Sequence, residues 1–462
     1  QMCIRDRILV IFIITLHCFI AQSQEQTVGV FLNDPMSFNG YTLFGNNETT
    51  YLIDNCGFVV NHWQSKYKPG NGMYLLPDGN LLRCGRVDGA FSAGGLGGKY
   101  ELFNWEGTLI WSYEFANDLF HGHHDIAPLP NGNFLALLWE RKNASAAAAV
   151  GRIYTGEVWS ERIVEIKMLG TKDAEIVWEW SIWEHLVQDV FRDKPNYGII
   201  SEHPERIDIN YIGKGESDSG NSLHFKSIDY NAELDKIILS SRHLSEIYII
   251  DHSTTTEEAA SSFGGKGGHG GDILYRYGNP QVYQQGTETD RKLHHQHDVQ
   301  WVAEGYQTGN LIAFNNDYVE GDSSQIVIWE TPILQDGTYH REDGLSYGPQ
   351  EFSWTYTAED FYSPIMSGAE MMPNGNILIC EGSKGRFFEI TESGEMVWEY
   401  INPVNRNGHP IRQGGSVQFN QTFRAERYPP EYSGFAGKEL VAGDPVEIIP
   451  WDLGCVIFDQ TT

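Results

Sequence analysis

Three stretches of this chain are near copies of one another, and they limit the folds open to it. Tyr74-Leu-Leu-Pro-Asp-Gly-Asn-Leu-Leu-Arg83, Ala127-Pro-Leu-Pro-Asn-Gly-Asn-Phe-Leu-Ala136 and Glu370-Met-Met-Pro-Asn-Gly-Asn-Ile-Leu-Ile379 each read as an apolar strand, a tight turn and a second apolar strand. The Asp-Gly or Asn-Gly dipeptide supplies the positive φ that a tight hairpin demands. Two looser copies lie between them, over 228–239 and 299–314. A second hairpin follows four of these, over 102–111, 164–180, 247–277 and 388–398.

Two consecutive hairpins make a four-stranded sheet. A ring of such sheets, with tryptophan on outer strands, is a propeller. Units fall near 71–115, 121–183, 222–280, 293–357 and 363–403. Strand pairs at 50–63 and 414–430 are left over. Joined, they complete a sixth blade from both chain ends and remove an open sheet edge. The expectation is an all-β, six-bladed β-propeller. The long insertions 184–221 and 252–272 should form loops or short helices on a face.

Composition bears on where such a ring works and what it meets. A formal net charge of −30 excludes a nucleic-acid partner and an anionic membrane surface. Residues 8–20 are apolar behind Arg5 and Arg7, and Ala21-Gln-Ser23 follows. This predicts a signal peptide over 1–23 and a mature chain, 24–462, that is periplasmic or secreted without a membrane span. Cys3 and Cys18 fall in the leader, leaving Cys56, Cys84, Cys380 and Cys455. No C-x-x-C spacing occurs, which speaks against structural zinc. Cys84 and Cys380 occupy one repeat position in non-adjacent units and read as buried thiols. Cys56 and Cys455 are the candidate disulfide in an exported chain.

Counting six residues back from each inner turn gives Asn71, His124, His224, His297 and Ser367. Innermost strands line a propeller's channel, so these residues should converge at one mouth. The following strands end in Arg86, Trp139, Ser241-Arg-His243, Asn315-Asn316 and Glu381. Histidine is a nucleophile and proton carrier, and arginine and asparagine donate to oxyanions. The set suits a tetrahedral anion. Competing readings are a purely structural repeat position, an Arg242 salt bridge to a carboxylate, and a three-histidine zinc centre. The glycine-rich stretch 264–271 reads as a flexible insertion, and His294 and His295 as loop residues.

At these positions the chain resembles the aryl-sulfate sulfotransferase (arylsulfotransferase) family. The resemblance rests on Asn221-Ser-Leu-His-Phe-Lys-Ser-Ile-Asp-Tyr-Asn231, Leu239-Ser-Ser-Arg-His-Leu-Ser-Glu-Ile-Tyr-Ile-Ile-Asp-His252, Gln296-His-Asp-Val-Gln-Trp301 and Phe361-Tyr-Ser-Pro364. It implies nucleotide-independent transfer of a sulfuryl group from a phenolic sulfate ester to a phenol through a sulfohistidine, without cofactor or metal. His297 and His224 are the expected catalytic residues, since 361–370 holds no histidine. His124, Arg242, His243, Asn315, Asn71 and Ser367 are the expected substrate contacts. The expected partners are an aryl sulfate donor and a phenolic acceptor, and a homodimer is compatible. The alternative is a non-catalytic exported propeller that binds a sulfated or other anionic ligand.

Overall fold

A computed structural model describes residues 25–458 apart from 214–215, 217–219 and 452–453. The leader expected over 1–23, with Cys3 and Cys18, lies outside the described residues.

Six antiparallel sheets follow one another along the chain. The first runs Pro69–Leu75, Leu81–Arg86, Gly98–Phe103 and Leu109–Glu114 from inside to outside. The second is Phe120–Pro128, Phe134–Lys142, Val158–Leu169 and Asp173–Ser181. The third is Phe225–Asn231, Lys236–Ser241, Glu246–Asp251 and Tyr275–Tyr277. The fourth is His297–Trp301, Leu311–Val319, Ser323–Trp329 and Trp354–Tyr356. The fifth is Gly368–Met371, Ile377–Glu381, Arg386–Ile390 and Met396–Ile401, with Gly29–Asn33 added outside.

Sheet-to-sheet packing closes the ring. Leu82, Ile126 and Phe134 join the first sheet to the second; Leu137, Trp180 and Leu239 join the second to the third. Ile249 meets Trp329, Phe314 meets Phe388, and Phe387 meets Phe44. Leu43 and Trp63 return to Met73 and Leu81 of the first sheet. Each apolar cluster belongs to two neighbouring blades, so no blade buries its faces alone, as in other repeat folds.

The sixth blade corrects the expectation in its detail. Its innermost strand is Ala425–Tyr428, followed by Tyr41–Gly45, Thr49–Ile53 and Val59–Gln64. The C-terminal part therefore gives one strand rather than a hairpin, and residues 416–419 are not a strand. Tyr41–Gly45 fills that place because it can pair on both edges, with Ala425–Tyr428 and with Thr49–Ile53. Cys56 and Cys455 form a disulfide with Cα atoms 5.7 Å apart, tying the two ends of the chain across this blade. Cys84 and Cys380 are buried free thiols.

The insertion after the second blade is anchored on the third. Arg276, buried on Glu246, donates to the carbonyls of Pro204 (3.2 Å) and Arg206 (2.8 Å). Asp272 holds His185 at 2.8 Å. These contacts hold the insertion against the outermost strand of the third blade, and Glu216 within it reaches Arg242 at 3.2 Å.

Candidate active site

The innermost strands begin with bulges, seen as register shifts in the first four blades. Asn71, His124, His224 and Ser367 take left-handed backbone there, with φ of 88°, 50°, 53° and 84°. In the fourth blade the left-handed residue is Asp298 (φ 50°), one place after His297. Asn, Asp and His tolerate this conformation better than other side chains. The recurring polar residue thus has a backbone cause.

His297 is held in one tautomer. The Asn316 amide donates to the carbonyls of Ser363 (2.7 Å) and Met366 (3.0 Å), which turns its oxygen toward His297. That oxygen lies 2.7 Å from His297 Nδ1 and so accepts its proton. Nε2 keeps a lone pair, toward which the Met366 N–H points at 3.3 Å. Burial, and then the charges of Lys226 and Arg242, hold the His297 pKa well below the usual range. A neutral imidazole is the form that attacks an electrophile, once Nε2 gives up the long Met366 contact.

The other histidines stand close by. The His124 and His224 rings are 4.8 Å apart, and His224 stacks on His243 at 4.5 Å. His224 Nδ1 lies 2.6 Å from the Asn221 amide. Burial and then Lys226 hold both His124 and His224 well below their ordinary pKa. Arg242 is 3.2 Å from Glu216, whose other oxygen lies 3.4 Å from His243. The carboxylate salt bridge read as an alternative for Arg242 is therefore present.

His124 does not face the cluster freely. Its Nδ1 lies 2.9 Å from His123 Nδ1, and its Nε2 lies 2.9 Å from Lys226 Nζ. His123 in turn meets Glu161 at 2.9 Å, and Glu161 also accepts the Phe225 N–H at 2.9 Å. Gly95 packs on the His124 ring; a Cβ there would sit 1.9 Å from Nε2, and its φ of +83° also needs glycine.

Three expected contacts do not join this group. Asn315 bonds the Lys292 carbonyl (3.3 Å) and the His294 N–H (2.6 Å), bracing a loop; its neighbour Asn316 holds His297 instead. Ser367 is taken by Ser363 (2.8 Å) and the Gly382 N–H (3.0 Å). Asn71 is partly buried at the start of the first blade, and its side chain has no hydrogen bond among the described residues. His295, read as a loop residue, instead sits at the rim, 2.8 Å from Asp317.

Lys226 was not singled out from the sequence. It lies two places beyond His224, partly buried, and burial followed by Arg242 pushes it down to about 7 against the opposing pull of Glu161 and Glu216. A lysine two residues from a histidine on a strand was a findable signal, because alternate residues share a face.

One residue further along the inner strands is a second polar layer. Arg424 meets Asp298 (2.6 Å), Asp125 (3.2 Å), Glu426 (3.0 Å) and the Tyr74 hydroxyl. Burial raises Asp125 to about 6 and Glu426 to about 7. Among the described residues no group of three or more His, Cys, Asp or Glu is arranged to hold a metal ion.

Fold and site together define a β-propeller in which His124, His224, His297 and Lys226 of the inner strands lie near Arg242, which follows a second strand. The family is shown directly: the Arylsulfotransferase (ASST) model matches residues 22–412, and the chain belongs to that family. It is a sulfotransferase family, and small-molecule substrates fit it. Among curated proteins none matches the chain. Similar solved structures include a Bacteroides caccae protein of unknown function, 12% identical, covering 84% of this chain and 98% of its own, with a TM-score of 0.43. The β-propeller domain of Myceliophteria thermophila Cps50 (Swd1) is 11% identical, covering 82% and 91%, with a TM-score of 0.41. Staphylococcus aureus virginiamycin B lyase is 11% identical, covering 81% and 88%, with a TM-score of 0.36. No helix among the described residues is long and apolar enough to cross a membrane.

Proposed function

We propose that this protein is an exported aryl-sulfate sulfotransferase that works by double displacement, with His297 as the nucleophile. The observation that carries the reading is the fixed tautomer of His297. Its Nδ1–H is committed to Asn316, so Nε2 keeps the lone pair; the Met366 N–H approaches it at 3.3 Å and has to yield to the donor sulfur, and Lys226 and Arg242 act on the ring by charge. In the first half, Nε2 forms a bond to sulfur, the sulfur–aryl-oxygen bond breaks, and the electron pair leaves with the oxygen. In the second, a phenol oxygen attacks sulfur and the nitrogen–sulfur bond returns its pair to Nε2. In this reading Arg242 and the His224 ring steady the sulfuryl oxygens, which carry negative charge throughout. Export is supported by the Cys56–Cys455 disulfide, since such bonds persist in oxidising compartments.

The test is release of nitrophenol from 4-nitrophenyl sulfate with and without added phenol. Sustained release that needs the phenol, and that falls at least about 10³-fold in His297→Ala, supports the reading. Tight binding of the ester with no release would instead favour a binding propeller.

A further inference from the structure

The transfer reaction leaves one requirement unassigned to any residue. The departing aryl oxygen gains an electron pair and needs a proton, and the incoming phenol must lose one. His297 cannot serve, because its one N–H is held by Asn316 and its other nitrogen is bonded to sulfur. His124 cannot serve directly, because both its ring nitrogens are occupied.

A continuous chain of hydrogen bonds ends in the group that can. Glu161 Oε2, His123 Nε2, His123 Nδ1, His124 Nδ1, His124 Nε2 and Lys226 Nζ are linked by three contacts, each of 2.9 Å. One proton pattern satisfies every contact with the lysine charged. Glu161 accepts from His123 Nε2–H, bare His123 Nδ1 accepts from His124 Nδ1–H, and bare His124 Nε2 accepts from the lysine. Glu161 and His123 are fully buried, so the chain is anchored rather than loose. It uses one of the three Lys226 protons and leaves the others unassigned, and no carboxylate contacts Lys226 among the described residues.

We infer that Lys226 is the acid and base of the reaction, giving its proton to the departing aryl oxygen and taking one back from the incoming phenol. The inference rests on the transferase reading above. Glu161, His123 and His124 are positioning residues. They aim the amine and, through aligned N–H groups, favour its charged form. In the first half the Lys226 N–H bond breaks and an O–H bond forms on the aryl oxygen, leaving a neutral amine. In the second half the acceptor's O–H proton restores the ammonium, so each turnover leaves the lysine unchanged. The groups that face this exchange are Arg242, Glu161 and Glu216, with His124, His224, His243 and His297. Burial and Arg242 place the lysine's titration near neutrality, where an acid–base group works best.

The experiment compares two donors whose leaving groups differ in need of a proton, phenyl sulfate and 4-nitrophenyl sulfate, each with phenol as acceptor. Lys226→Met should lower kcat for phenyl sulfate by about 10²–10³-fold and for 4-nitrophenyl sulfate by about 10-fold or less. Glu161→Gln, three hydrogen bonds from Lys226, should give the same selective loss in smaller measure. The wild-type decline of the phenyl sulfate rate above about pH 7 should disappear in Lys226→Met. Equal losses for both donors in both variants, with folding intact by thermal melt, would overturn the acid–base role and leave Lys226 as an anion anchor. If the wild type transfers from neither donor, the transferase reading itself fails, and this inference with it.

Discussion

Two polar layers stand one residue apart on the same inner strands, and they handle charge in opposite ways. The His-Asp pairs His124-Asp125 and His297-Asp298 are split between them. In one layer charge meets charge directly: Arg424 touches Asp125, Asp298 and Glu426. In the other, Lys226 touches a neutral imidazole and reaches Glu161 only through two rings, while Arg242 beside it is paired with Glu216 at 3.2 Å. A charge already neutralised by contact braces the ring. A charge held at arm's length by neutral groups remains available to a ligand. On the proposed function, the Arg424 layer would be support and the Lys226 layer would be chemistry.

The largest effects should come from removing the centre of each layer. His297→Ala should abolish transfer at a stability cost of about 1–3 kcal/mol, for the buried ring and the Asn316 bond it removes. Arg424→Met should do the reverse. It strands two buried carboxylates and a partly buried third and should cost about 3–5 kcal/mol, read by denaturant unfolding, with the rate per folded molecule within a few-fold of wild type. If Arg424→Met abolished transfer in folded protein, the division between the layers would be wrong.

A smaller effect is expected where the glycine loop touches the mouth. Gly95→Ala combines a φ of +83° with a Cβ 1.9 Å from His124 Nε2, so the ring must move. It should cost about 1–2 kcal/mol in stability and reduce the rate about 10-fold through the displaced Lys226 contact. Equal activity would show that the His124 position is not critical.

The smallest separation is by pH, and the two layers should oppose each other. Asp125 is raised by burial from its ordinary range to about 6, so the folded state binds more protons than the unfolded one between about pH 4 and 6. Its contribution makes stability rise on acidification through that window, on the order of 1–3 kcal/mol. His124, His224 and His297 are depressed by burial, so the unfolded state binds more protons below about pH 6.5. Their contribution is present above that pH and is lost on acidification. Asp125→Asn should therefore steepen acid destabilisation, and His224→Gln should soften it, in melting temperature against pH.

The sequence made the ring legible because each repeated turn carries its own chemistry: Pro-Asn-Gly-Asn demands a hairpin wherever it falls. Tyr41–Gly45 escaped notice because it has no such turn and owes its place to two partners far away in sequence. The site was legible in outline through the histidine register. That register ran one residue out of phase in the fourth blade, where the bulge falls at Asp298 rather than His297. Asn315 and Asn316 are adjacent and opposite in facing, a distinction that depends on pairing register rather than composition. Arg424 was hidden for a different reason: a charged residue beside a strand reads as solvent-facing until the ring curves it inward, and only Lys226, two places from His224, carried a spacing signal.

The central claim is that His297 Nε2 carries the sulfuryl group between donor and acceptor. The most direct measurement is peptide mass mapping of protein treated with 4-nitrophenyl sulfate in the absence of phenol. A gain of one SO3 group on the peptide bearing His297, removed when phenol is added, is the predicted result. Turnover of the ester with the SO3 group on another residue, or with no protein adduct in rapidly quenched samples, would contradict it.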